Sequence, residues 1–319
     1  MRNIVTKIWN SYRIGVVVLV VGIILSLISP RFFSFDNLLN VMTNASLVAI
    51  VGLGMTLAIA SGNFDLSVGS TAAFAGCVSF SLVPVIGVPL SIVAGLIVGV
   101  IIGLINGLII TELRVPAFIA TLGMMTIVRG AALIYTDGKD LYLFGQTEYK
   151  VLSGEYFLGI PTPILLAVII AIILGFVVNQ VRFGRHTLAI GSNLAASQRS
   201  GISTSRVIWV VFAIVGATAA LSGMIISSQV LTANARLATG LELSAIAVVV
   251  LGGTALSGGQ ATMVGTLFGA LLISMINNGL NLLNIPIFYQ ELTVGVLMLA
   301  ALALSMRGID LRSLVRRTA

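Results

Sequence analysis

The chain has 319 residues, 58% of them hydrophobic and 8% charged, with a formal net charge of +7. A mean hydropathy of +1.13 leaves too little charge for a water-exposed surface, and apolar runs of roughly 20 residues recur, each long enough to cross a bilayer as a helix. This excludes a soluble enzyme and a porin-like barrel of short alternating segments, and predicts an all-α polytopic membrane protein.

The first apolar run, 14–29, follows Arg2, Lys7 and Arg13. No small-residue cleavage motif follows it, only Ser29-Pro30-Arg31, so it reads as an uncleaved first span. Nine more runs follow at 38–60, 64–82, 89–111, 116–135, 161–180, 207–229, 241–257, 262–283 and 288–306, so residues 1–319 read as one transmembrane domain of about ten helices. Two of these runs look broken. Ser61-Gly62-Asn63-Phe64-Asp65-Leu66-Ser67-Val68-Gly69-Ser70 interrupts one, and Gly252, Gly253, Ser257, Gly258 and Gly259 interrupt the other. Interrupted helices at membrane depth often line a pathway, which makes the second segment a candidate gate. Both fit Ser-Gly, five residues, Val-Gly-Ser/Thr, a pattern that an internal repeat and chance explain equally well.

Gly95, Gly99, Gly103 and Gly107 fall on one helix face and predict close packing against another helix. Further on, the loop 136–160 carries Asp137, Asp140, Glu148 and Glu155 with Tyr135, Tyr142, Tyr149 and Tyr156 around it. It reads either as a solvated loop with an interfacial aromatic belt or as a docking surface for an external partner.

Residues 182–206 form the most polar stretch, with Arg182, Arg185, Arg199, Arg206 and the only histidine, His186. Ser192 or Asn193 can cap a short helix there and Gly201 can end it. Ala195 and Ala196 leave room for a partner to approach. With the N-terminus inside, Arg2, Lys7, Arg13, Arg114, Arg182, Arg185, Arg199, Arg206, Arg307, Arg312, Arg316 and Arg317 all fall inside. Only Arg31, Lys139, Lys150 and Arg236 fall outside, a bias that places both termini and 182–206 in the cytoplasm. Span ends account for the basic charge without nucleic acid.

The chain has no Gly-x-x-x-x-Gly-Lys-Ser/Thr loop, and one cysteine, Cys77, with one histidine cannot build a zinc site. No catalytic constellation assembles. The polar residues near or within spans are Asn44, Asn63, Asn106, Asn277, Asn278 and Asn281, with Arg129, Asp65, Glu242 and Glu291. Amides such as Asn277 and Asn281, on one helix face, suit a neutral polyol but equally join helices. Arg129 requires a partner or a wet cavity, and Asp65 either lines the pathway or caps the following helix. Glu242 and Glu291 read as span-end charges. Without a mid-span acid pair, the pattern suggests a permease driven by a separate ATPase rather than an ion-coupled carrier.

Several motifs carry a specific resemblance: Ser61 to Ser70, Phe118-Ile119-Ala120-Thr121-Leu122-Gly123-Met124 with Arg129-Gly130, Ala189-Ile190-Gly191-Ser192-Asn193 with Ala196, and Glu242-Leu243 with Ala245-Ile246-Ala247. Val250 to Gly259, Gly265-Thr266 with Gly269-Ala270, and Asn277 to Asn281 continue it in order. The chain resembles the membrane permeases of bacterial ABC importers of the ribose/xylose/arabinose type, and ribose permeases most of all. Asn63-Phe64, Ser244 and Gln260-Ala261-Thr262 depart from the family pattern. The resemblance implies a permease homodimer, or a heterodimer with a similar permease, in the inner membrane, with no cofactor in this chain. It implies a cytoplasmic ATPase binding ATP and Mg, and a periplasmic sugar-binding protein. The family's coupling segment maps onto Gly184, Arg185, Gly191, Ser192, Asn193, Ala195, Ala196 and Gly201. The competing expectations are an ion-coupled or passive sugar carrier, and an ABC permease for a nucleoside or a furanose-like signal molecule.

Overall fold

A computed structural model describes residues 2–143, 147–157, 159–286 and 288–307. Arg312, Arg316 and Arg317 lie outside the described residues, as do the side chains of Arg2, Lys7, Arg13, Glu155, Tyr156, Glu291 and Arg307. The helices are α1 (Arg2–Ile28), α2 (Phe35–Ala60), α3 (Val68–Thr111), α4 (Ala117–Tyr135), α5 (Thr162–Gln180) and α6 (Arg182–Ser192). They continue with α7 (Leu194–Arg199), α8 (Thr204–Val230), α9 (Leu241–Leu251), α10 (Met263–Leu282) and α11 (Phe288–Arg307). A short 3-10 helix (Thr147–Leu152) and two antiparallel pairs of very short strands complete the described elements: β1 (Leu141–Tyr142) with β4 (Thr232–Ala233), and β2 (Glu155–Phe157) with β3 (Ile160–Pro161). The chain is an all-α multi-pass membrane protein, with α2, α3, α4, α5, α8 and α10 each long and apolar enough to cross on its own.

α3 is two helices joined by a bend. Gly87, at φ 77° and ψ 167° between Pro84 and Pro89, breaks the helical backbone. Two expected boundaries move. The run expected from 64 is helical only from Val68, because residues 61–67 follow a separate path. The run expected to 257 is helical only to Leu251, because Gly253 turns the chain at φ 85°. α9 therefore spans about 16 Å, roughly half of a 30 Å hydrocarbon core.

α2 is the central post: every residue from Ala49 to Ala60 is buried, packed against α5, α8, α9 and α10. Lipid-facing side chains lie elsewhere, for example Ile127 on α4 and Ile172 on α5, both well exposed. The most extensive interface joins α3 to α8 through the expected glycine face. Gly99 lies against the carbonyl of Gly216 and Gly216 against that of Gly99, while Gly103 meets Phe212 and Gly107 meets Trp209. Backbones this close gain dispersion contacts that any larger side chain would remove.

The loop 136–160 is anchored rather than simply solvated. Tyr149 is fully buried, its ring edge-on to Phe80 at 5.4 Å and its hydroxyl 2.9 Å from Ser79 Oγ. Ser228 Oγ donates to its carbonyl at 2.7 Å. Burial pushes its phenol well above the ordinary tyrosine range, although the Ser79 contact acts the other way. Tyr142 remains exposed.

Candidate functional site

Both breaks meet at one glycine. Gly191, in the last turn of α6, lies so close to the Ala60 carbonyl and the Gly259 amide that a β-carbon there would overlap them. Gly259 N–H donates to Ala60 O at 2.9 Å, joining the end of α2 to the segment after α9. Built β-carbons on Gly62 and Gly258 would lie 3.7 Å and 3.0 Å from Gly191 Cα. The two similar Ser-Gly motifs are thus neighbours across α6. The interruptions begin at this end of the bundle rather than in its middle.

The same end presents α7. Asn193 is extended, and its Oδ1 accepts from Ala196 N–H at 2.9 Å, capping the helix. Ser192, the alternative cap, instead donates to Leu188 O. Leu194, Ala195 and Ala196 are exposed, and Gly201 turns the chain at φ 79° just after the helix. Gly184 packs on Val177 and Val178 of α5, and Arg185 donates to Gln180 O at 3.1 Å. Behind α7 lies a cavity of about 580 Å³ lined by Ser61, Asn63, Arg114, Asn193, Gln198 and Ser257 among others. Gly252 packs on Gly265 and Thr266, and Thr262 Oγ1 donates to Gly252 O at 2.8 Å, satisfying a carbonyl the broken helix leaves free.

Two further segments enter the bundle from opposite ends. Gly107, near the end of α3, meets Trp209, whereas Ala72 meets Gly223, 14 residues or about 21 Å further along α8. α3 therefore begins deep inside. Residues 61–67 climb to that start and are closed by Asp65, whose Oδ1 accepts from Ser67 N–H at 2.8 Å and Ser67 Oγ at 2.6 Å. Asn106 Nδ2 donates to Ser67 Oγ at 2.9 Å and approaches Asp65 Oδ2 at 3.4 Å. Asp65, Ser67 and Asn106 are each at most 2% exposed.

From the other end, residues 231–240 descend to the start of α9. Arg129 fixes them: its guanidinium donates to the carbonyls of Ala235 and Leu237. Glu242, in the first turn of α9, lies over Gly69 in the first turn of α3 and attracts Arg129 across the segment. Glu242 was expected to be a span-end charge. It does stand at a helix end, but that end is inside the bundle because α9 is half a span long.

The seven candidate pathway residues do not gather. Asn63 lines the cavity behind α7, and Asp65 and Arg129 flank the inner helix starts. Asn277, Asn278 and Asn281 lie in the last turns of α10, about 20 Å or more from its start beside Gly252. There Asn278 and Asn37 exchange amide hydrogen bonds of 2.8 Å and 3.0 Å, which joins α10 to α2. Asn281 Oδ1 accepts from Gln290 at 2.6 Å, Asn277 Oδ1 is buried with no partner, and Asn44 is exposed on α2. Sequence reasoning missed Ser67, Arg114 and Glu242 as site residues and left Asn106 among generic amides.

This multi-pass membrane bundle is thus opened by two inward segments and carries an exposed capped helix at one end. The chain belongs to the family described as branched-chain amino acid transport system / permease component, which matches residues 37–302. It is 39% identical to the ribose import permease protein RbsC of Escherichia coli (strain K12), over 94% of this chain and 95% of that one. It is 41% identical to RbsC of Bacillus subtilis (strain 168), over 91% and 90%. Against the L-arabinose transport system permease protein AraH of Escherichia coli (strain K12) identity is 36%, over 92% and 90%. No solved structure matches the chain.

Proposed function

We propose that this chain is the transmembrane subunit of an ATP-driven importer that carries a monosaccharide, ribose or a related pentose, across the bacterial inner membrane. The names of the relatives support the cargo class. The observation that carries the mechanism is the seating of α6 and α7. An exposed helix capped by Asn193 continues directly from Gly191, and Gly191 touches both breaks. A push on α7 therefore reaches residues 60–63 and 257–259 together, through backbone contacts that cannot yield independently.

In this reading a dimer of permeases binds a cytoplasmic ATPase through Gly184 to Gly201, with Ala195 and Ala196 at the contact. ATP and Mg sit in that ATPase, and an external sugar-binding protein delivers cargo on the side of Tyr149. The basic asymmetry supports a cytoplasmic side for both termini and α7. The sugar passes Asn277, Asn278, Asn281 and Asn44, then Arg129 and Asp65, and leaves by Asn63, with Gly252 to Gly259 as the moving gate.

The test is reconstitution. Permease, ATPase and binding protein in proteoliposomes should import ribose only with ATP. Ala196→Arg places a charge in the proposed contact and should abolish ATPase co-purification while the permease stays folded. Ribose uptake by the lone permease would establish the passive or ion-coupled alternative instead.

A further inference from the structure

We propose that Glu242 is the acceptor that a sugar hydroxyl meets inside the membrane, between the first turns of α3 and α9, and that it selects for polyols; this rests on the sugar-permease reading above. Two helix starts converge here. A β-carbon on Gly69 would overlap Glu242 Oε2 and lie 2.8 Å from Ala238 O, so the carboxylate stands directly on the opening turn of α3. Ser67 and Gly240, the residues before α3 and α9, make no side-chain cap bond to their helices. Both helix starts and Arg129 stabilise negative charge at this point.

The carboxylate is held without being used up. Oε1 accepts from Gly240 N–H at 3.3 Å, whereas Oε2 is buried and accepts from nothing. Arg129 spends its guanidinium on the Ala235 and Leu237 carbonyls and makes no ion pair with Glu242. A second acceptor belongs to the same helix start. Asn106 is fully buried and bonded to Ser67, the residue before α3, yet its Oδ1 has no donor. Buried acceptors left open on two sides of one helix start call for a ligand rich in donors. A monosaccharide supplies hydroxyls, and hydroxyl-to-carboxylate bonds are strong because one partner is charged. An anionic cargo, a sugar phosphate included, would be repelled. Glu242 is only partly buried, and Leu243 beside it is 49% exposed, so a modest movement of α9 uncovers Oε2.

The experiment uses the full complex in proteoliposomes and compares ATP-dependent uptake of ribose with that of single-deoxy pentoses. Glu242→Gln keeps the shape and removes the charge. It should raise the half-saturating ribose concentration at least tenfold, with the melting temperature and ATPase co-purification of the complex retained. Removing the hydroxyl that Glu242 engages should slow the normal permease at least tenfold but the variant less than threefold. Selection by the binding protein cancels in that ratio. If Glu242→Gln fails to assemble, Glu242→Asp, which withdraws Oε2 by one methylene, is read against the same sugars. Uptake by either variant within twofold of normal, or equal losses for every deoxy sugar, shows a structural carboxylate only and overturns the proposal. A normal complex that imports no monosaccharide overturns the underlying reading as well, and is recognised before any variant is made.

Discussion

The two inward segments, 61–67 and 231–240, do the same topological work by opposite means. Each carries the chain from one end of the bundle to a helix that starts inside it. Residues 61–67 are closed by their own side chains: Asp65, Ser67 and Asn106 bond one another and are sealed from solvent. Residues 231–240 are tied more loosely: β4 pairs with β1, Asn234 Oδ1 accepts from Arg236 N–H, and Thr239 Oγ1 donates to Arg236 O at a part-exposed turn. Their carbonyls hang on Arg129, a side chain from another helix, and Arg236, Thr239 and Leu243 beside them are exposed. A segment closed on itself cannot move without breaking a buried network. A segment whose Ala235 and Leu237 carbonyls hang on one cation can exchange that cation for another partner while its local turn bonds persist. The first is the fixed wall and the second is the moving one.

The comparison breaks first at the junction. Gly191→Leu forces a side chain into the Ala60 carbonyl and the Gly259 amide, and α6 cannot retreat without releasing both breaks. We expect a destabilisation of about 3 kcal/mol or more, seen as loss of monodisperse protein in detergent. A normal thermal melt would remove the junction from the mechanism.

On the fixed wall, Asn106→Leu strands Ser67 and Asp65 and should cost about 2–3 kcal/mol. Its signature is chiefly a lowered melting temperature. The moving wall should respond the other way. Arg129→Leu removes two bonds from a partly exposed segment and should lower the melt by only about 1–2 kcal/mol-equivalent, while uptake falls severalfold. Arg129→Lys, still a donor, should recover part of the loss. Equal stability and uptake profiles for Asn106→Leu and Arg129→Leu would erase the distinction. The smallest effect belongs to Asn281, exposed and bonded once to Gln290: Asn281→Leu should change stability by less than about 1 kcal/mol. A large drop in uptake with that small change would put Asn281 on the pathway.

Much of this was legible in the residues, where local rules decide. Hydropathy marks the runs, the Gly95 to Gly107 spacing marks the face that meets α8, and the Asn193 cap depends on the four consecutive residues from Asn193 to Ala196. The inner helix starts were not legible. Phe64, Leu66 and Val68 keep the run apolar, so nothing in hydropathy shows that Asp65 and Ser67 turn the chain outside a helix. The glycines at 252–259 did mark a break in the second run, and Gly253 stops the helix there, but Leu251 and Leu256 hide how much of the run lies outside a helix. Glu242 looked peripheral because α9 was read at full length. The Asn37–Asn278 pair spans 241 positions, and only assembly brings it together.

The 11 residues of α9 carry a consequence for biogenesis. A segment this short cannot partition into lipid by itself, since a span requires about 17–25 apolar residues. The polar backbone at 252–262 cannot face acyl chains either, and its carbonyl at Gly252 is satisfied by Thr262. α9 is therefore expected to enter after the translocation machinery has released α2 and α3, into a slot that these helices have already lined, with α10 and α11 closing behind it. Insertion order is thereby written into helix length. Truncations ending just after Leu251 should leave this segment outside the membrane, whereas chains that extend through Leu282 should draw it in.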